Sequence, residues 1–163
     1  IRDRDWSDFE PDTWRAVRTE AMAGITPVET PIFASDQHPG AVRQTMEGLE
    51  GADVESLVQV KQADFFKLEP RTDGGMLVFN PPYGERMDPG DVVGLYERIG
   101  DRLKFHWSGF DAWVISSNDE ALKRVGLRPH KRHPVFNGSL ECRWVGFSMY
   151  KGSKADQFKS KKA

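Results

Sequence analysis

Met76-Leu77-Val78-Phe79-Asn80-Pro81-Pro82-Tyr83-Gly84-Glu85-Arg86-Met87 is the stretch on which the reading of this chain turns. Four apolar residues in a row, after the turn region from Pro70 to Gly75, predict a short buried strand. The two prolines that follow remove two backbone donors and stiffen the loop. In open α/β sheets ligands collect at the carboxyl ends of strands, so Asn80 to Tyr83 is expected to line a site. The Asn80 side-chain oxygen and the Pro81 carbonyl are two acceptors, and a planar –NH₂ offers two donors. The lone pair of such an amine is delocalised, which makes it a poor nucleophile. Two acceptors in a water-poor pocket orient it and stabilise the positive charge that grows on nitrogen as it attacks. Tyr83 adds an aromatic face on which a planar base can stack. The competing reading is a rigid Pro-Pro turn with no ligand.

Outward from this loop, the pattern alternates between helices and strands. Trp14, Val17, Ala21 and Met22 have helical spacing, with Asp12 or Thr13 as the expected cap. Ile32-Phe33-Ala34 reads as a short buried strand ending at Ser35-Asp36. His38 to Gly48 reads as a helix with Pro39 in its first turn, and Ser56 to Ala63 as a strand ending at Asp64. Beyond the loop, Val92, Leu95, Tyr96, Ile99 and Leu103 put one apolar face on a helix from Asp91 to Phe105. Ala112 to Ser116 is a buried strand, and Glu120 to Val125 a short helix closed by Gly126. Leu127–Val135 and Glu141–Tyr150 are extended runs joined by Phe136-Asn137-Gly138-Ser139, where Asn-Gly signals a hairpin. This order predicts one α/β sheet, largely parallel, with an antiparallel hairpin at its C-terminal end. No internal domain boundary or repeat stands out.

Composition narrows the class. The chain has 163 residues, of which 38% are hydrophobic and 29% charged, enough for one soluble domain with a core. No apolar run approaches the roughly 18 residues of a membrane span. The one cysteine, Cys142, excludes an intrachain disulfide framework and a cysteine-based zinc site, and fits a reducing, cytoplasmic compartment. His38, His106, His130 and His133 show no metal-ligand spacing, so no metal is expected. Ile1 stands where an initiating Met would, which reads as an excerpt of something longer. The net charge of −2 is unlike a free-standing nucleic-acid binder; an RNA substrate would need a local patch or another domain for its phosphates. The tail from Lys151 to Ala163 carries five lysines and one aspartate. It reads as a solvated end or as a phosphate-binding extension.

The motif resembles the signature of class I S-adenosylmethionine-dependent methyltransferases that act on planar amino nitrogens. Its longer form, Asn80 to Arg86, resembles RNA guanine-N2 methyltransferases typified by the bacterial 23S rRNA enzyme, whose full proteins carry an upstream THUMP domain. The likeness spans nearly the whole chain. Phe9 to Trp14 with Glu20-Ala21, Ala34 to Pro39, Phe136-Asn137-Gly138, Leu140 to Arg143 and Tyr150-Lys151-Gly152 all match segments of that family. The resemblance implies a Rossmann-like methyltransferase domain over residues 1–152, followed by the Lys-rich tail, 153–163. It implies S-adenosyl-L-methionine as cofactor and RNA as partner, either rRNA or tRNA, with no membrane. Asn80, Pro81, Pro82 and Tyr83 would form the catalytic loop. Asp36, Gln37, Asp64, Phe65 and Asn80 would hold the cofactor, with Asp36 on the ribose and Asp64 on the adenine amino group. Tyr83 and Arg86 would meet the substrate.

Each assignment has a plainer rival. Asp36 could simply cap the next helix, Asp64 could be a solvated loop acid, and Phe65 could be core. Arg86 could pair with Glu85, and Lys131-Arg132-His133 could be a solvated strand end or an RNA contact. The family's first cofactor motif, a strand and glycine-rich turn, has no counterpart in the chain; that strand is expected between those ending at Asp36 and Asn80. Other functions fit less well: an adenine-N6 methyltransferase on DNA or RNA, a glutamine-N5 protein methyltransferase, or a non-catalytic RNA-binding scaffold.

Overall fold

A computed structural model of the chain describes residues 7–83 and 89–150, with side chains for 7–83 and 91–150. The elements alternate as the periodicities predict. They run α1 (Pro11–Ala23), β1 (Ile32–Asp36), α2 (Pro39–Gly51), β2 (Val58–Gln62), β3 (Gly75–Phe79), α3 (Pro89–His106), β4 (Phe110–Ser116), α4 (Asp119–Arg124), β5 (Pro129–Asn137) and β6 (Leu140–Ser148). Single 3₁₀ turns precede β2 and follow Asp64.

Chain contacts divide the molecule into two compact units, 1–63 and 64–163, where the sequence shows no boundary. The cause lies in the strand pairing. Instead of one sheet there are two: β1 pairs in parallel with β2, and a separate sheet has the order β3-β4-β6-β5. β1 and β3, between which the family resemblance places a further strand, each lie at the edge of a sheet.

In the first unit, β1 and β2 run in register from Ile32 opposite Val58 to Asp36 opposite Gln62. Helix α2 packs along them. Its cap is His38, whose Nδ1 accepts from the Gly40 N–H at 3.3 Å. The expectation for α1 is corrected: its N-cap is Glu10 rather than Asp12 or Thr13, and Thr13 Oγ1 donates to the Glu10 carboxylate at 2.8 Å. Pro11, with its preset φ and no N–H to satisfy, starts the helix one turn earlier than the apolar spacing shows. No residue of α1, β1 or α2 is fully buried, and Ile32 and Phe33 are exposed. The strand expected to be buried is thus exposed at Ile32 and Phe33.

The second unit holds the core. α3 contributes Val92, Tyr96, Ile99 and Leu103; α4 contributes Ala121 and Leu122; the sheet contributes Phe110, Ala112, Val114, Val145 and Phe147. Each large side chain so buried is worth about 1.5–3 kcal/mol of transfer free energy. Tyr96 is enclosed without loss of its polar group, since its hydroxyl donates to Ser116 Oγ at 2.8 Å. Burial pushes the Tyr96 phenol above its ordinary pKa.

Helices α3 and α4 pack on one face of this sheet, and the reading of Met76–Phe79 as a buried strand is corrected. β3 lies parallel to β4, with Leu77 opposite Ala112 and Phe79 beside Val114, so those two side chains reach the core. Met76 and Val78 point the other way and are 67% and 66% exposed. A run of four apolar residues cannot show whether one face or two will be covered. On that second face Trp113 packs edge-on against Trp144 and His130, and His133 stacks on it with ring centroids 6.0 Å apart. Ser148 Oγ donates to Asp111 at 2.5 Å and lies 3.1 Å from His130 Nδ1.

The hairpin β5–β6 forms where Asn-Gly predicts it, with one difference. Asn137 is the last paired residue, opposite Leu140, so the two-residue loop is Gly138-Ser139. Gly138 takes the left-handed conformation, φ 63°, that glycine adopts without strain. The Asn137 side chain is thereby released from turn duty. No helix among the described residues is long and apolar enough to cross a membrane.

Candidate active site

β3 ends at Phe79, and Asn80 opens the loop at its carboxyl end. Asn80 and Pro82 are exposed, whereas Pro81 and Tyr83 are half-buried. An exposed Asn80 leaves its amide free to meet a ligand, and the half-buried prolyl unit fixes where the Pro81 carbonyl can point. Gly84 to Asp88, and with them the predicted Glu85 and Arg86, lie outside the described residues.

Tyr83 is held from a distant part of the chain. Its hydroxyl accepts a hydrogen bond from Asn137 Nδ2 at 3.0 Å, across 54 residues of sequence. The topology explains how they meet. β6 runs antiparallel to β4 with Ser116 opposite Arg143, so the β5–β6 loop lies at the carboxyl end of β4, and β3 runs parallel to β4. The motif loop and the hairpin tip therefore emerge from the same end of the sheet. Sequence reasoning missed Asn137 as a site residue, because Asn before Gly reads first as a turn former. The only sequence signal was the match of Phe136-Asn137-Gly138 to the resembled family.

Asp64 and Phe65 lie at the same end of this unit. Asp64 Oδ1 accepts from the Phe66 N–H at 2.9 Å, so this carboxylate caps a 3₁₀ turn. It is half-buried rather than freely solvated. Phe65 meets Phe79 edge-on with centroids 4.8 Å apart and stacks near Trp107 at 6.2 Å. It is thus packed against the last residue of β3, one position before Asn80. The turn is braced from α3 by Arg102, which donates to the Leu68 carbonyl and to Glu69 at 2.5 and 2.7 Å. That hydrogen bond is the main reason the Glu69 carboxyl sits below its ordinary pKa.

In the first unit, Asp36 ends β1 and Gln37 follows it; both are exposed. Asp36 Oδ1 accepts from the His38 N–H at 2.7 Å, and the Asp36 carbonyl accepts from the Ala63 N–H at 2.9 Å. The Gln37 carbonyl accepts from Gln62 Nε2 at 3.1 Å. Asp36 does not itself cap α2, since His38 does. Asp36 and Asp64 thus share one design: one carboxylate oxygen fixes the local backbone, and the other makes no hydrogen bond among the described residues. A carboxylate clamped by one oxygen and open at the other suits a nucleoside hydroxyl or amino donor. Among the described residues no group of His, Cys, Asp and Glu could hold a metal ion.

Comparison with known proteins gives the family. Residues 4–146 match the family model UPF0020, described as the RMKL-like methyltransferase domain. The chain is 34% identical over 160 residues to the ribosomal RNA large subunit methyltransferase K/L of Vibrio parahaemolyticus, covering 93% of this chain and 22% of that protein. It is 32% identical over 149 residues to the Synechocystis sp. protein slr0064, covering 90% of this chain and 39% of that one. The chain thus spans between about a fifth and two fifths of the length of these relatives. Among solved structures, SMU.472 complexed with SAH superposes with a TM-score of 0.76 at 22% identity, over 91% of this chain and 40% of that one.

Proposed function

We propose, from the premise that the chain belongs to the RMKL-like methyltransferase domain family, that it methylates the exocyclic N2 amine of a guanosine in RNA, with 23S rRNA as the favoured species. The observation that carries the reading is the loop Asn80–Tyr83 at the carboxyl end of β3, two acceptors beside an aromatic ring that Asn137 holds. S-adenosyl-L-methionine, when bound, supplies an electrophilic methyl group, as the family membership and the SAH complex of a structural relative support. In the first unit Asp36, beside Gln37, and in the second Asp64, beside Phe65, each keep one carboxylate oxygen open to a nucleoside donor.

The protein's own part in the reaction is positioning. The target base leaves its stack and lies against Tyr83. The Asn80 oxygen and the Pro81 carbonyl each accept one N–H of the amine and aim its nitrogen at the methyl carbon. Forming the C–N bond would break the sulfonium's bond to the methyl carbon and leave that electron pair on sulfur as a neutral thioether; the positive charge would pass to nitrogen, where the same two acceptors would stabilise it. The surplus proton departs to water after transfer, so no strong base is needed in the loop.

Analysis of the modified nucleosides tests the choice of nitrogen. RNA treated with the protein and S-adenosylmethionine is expected to yield N2-methylguanosine on digestion. N6-methyladenosine in its place would make this an adenine enzyme, and the absence of any methylated nucleoside would favour a non-catalytic scaffold.

A further inference from the structure

Strand β5 is the outer edge of the second unit's sheet, and its side chains from His130 to Pro134 are exposed. Residues 128–137 hold Arg128, Lys131 and Arg132 and no acid. All three cations are exposed, and none forms an ion pair among the described residues. Elsewhere in the unit Arg102, Lys104, Lys123, Arg124 and Arg143 are each paired with a carboxylate, and Arg98 lies over the Phe66 ring. In a chain of net charge −2, such a strip is a local reversal of sign.

Its ends and its neighbours give it a direction. The strip spans about 30 Å at the usual rise of a strand and finishes at Asn137, which holds Tyr83. Phe136, beside Asn137, is 72% exposed. Edge strands otherwise invite pairing by another chain's strand. Here Pro129 and Pro134 remove two of the donors such pairing would use. The backbone edge is therefore closed to a protein strand while the side chains remain presented.

We propose that the β5 edge is an RNA-binding track, on which Arg128, Lys131 and Arg132 meet the phosphates of a single-stranded segment and Phe136 stacks a base beside the one that enters the Tyr83 pocket. This rests on the reading of RNA as substrate and adds where the strand lies. Phosphate contacts fix register without reading sequence, and stacking on an exposed aromatic tolerates any base.

The test uses labelled poly(U) as probe and measures affinity against salt concentration for the protein and its Lys131→Ala/Arg132→Ala double variant. Each phosphate contact removed is expected to flatten the slope of log affinity against log salt by about 0.7 for a single strand. The double variant should therefore lose about 1.4. Lys131→Arg/Arg132→Lys should restore the slope. Lys123→Ala, which removes a paired cation on α4, should leave it unchanged. An unchanged slope in the double variant, in a protein that still binds and methylates RNA, overturns the track and spares the function. Failure of the unaltered protein both to bind and to methylate RNA overturns the substrate reading itself.

Discussion

Asn80→Ala is expected to lower methyl transfer by about 10²–10³-fold, the usual loss when one acceptor or donor aimed at developing charge is removed. Cofactor affinity should stay within about twofold, because the carboxylates suited to the nucleoside, Asp36 and Asp64, are anchored to the backbone N–H groups of His38 and Phe66 and not to Asn80. Asn80 is exposed at the end of β3, so removing its amide leaves no buried polar group behind and the fold should be undisturbed. The two quantities are read separately, cofactor binding by calorimetry and transfer by incorporation of labelled methyl. Loss of both in equal measure would show that Asn80 serves the cofactor rather than the amine.

Gly100→Ala is expected to destabilise the protein by about 1–2 kcal/mol or more. A Cβ built on Gly100 in α3 would collide with the Val125 carbonyl oxygen and lie 2.7 Å from its carbon. Both are backbone atoms, so no side chain can swing aside. Either α3 moves off the end of α4 or the turn after α4 distorts, and overpacking of this kind costs about 1–3 kcal/mol or more. The helix-propensity gain of Gly to Ala, about 1 kcal/mol, acts in the opposite direction and is too small to compensate. For a unit of this size each kcal/mol lowers Tm by about 4–8 °C. Gly94→Ala provides the control: it lies in the same helix with nothing within 4 Å of the added carbon, and it should leave stability unchanged or slightly raised. Denaturant melts of the two variants settle the matter, and equal stability would mean that α3 and α4 do not approach as closely as described.

A smaller effect separates positioning from chemistry at Tyr83. Asn137→Ala removes the hydrogen bond to the Tyr83 hydroxyl, worth about 1 kcal/mol net, and should lower kcat/KM by roughly fivefold to tenfold. Tyr83→Phe removes the same bond from the other side. If the bond is what matters, the double variant is no worse than either single one; additive losses would show that the two side chains act independently.

These cases mark what could be read from the chain alone. The order of helices and strands follows from apolar spacing and from Pro, Gly and Asn punctuation, all of which act within a few residues. Asn80-Pro81-Pro82-Tyr83 and the likeness of neighbouring segments pointed to the family that the comparison then established. Where an interaction joins distant segments, the sequence was silent or misleading. Asn137 reads as a turn residue until the hairpin register puts the loop at Gly138-Ser139 and turns its amide toward Tyr83. Gly100 carries no signal in the sequence, and only the fold puts the Val125 backbone, just after α4, where its Cβ would go. Met76 and Val78 read as buried, yet they lie opposite the face on which α3 and α4 pack. Local periodicity and turn chemistry thus determined the elements and their order. Tertiary structure alone decided which faces are covered, how closely backbones approach and which residue holds Tyr83, because these depend on strand register and helix packing between segments that do not neighbour each other in the chain.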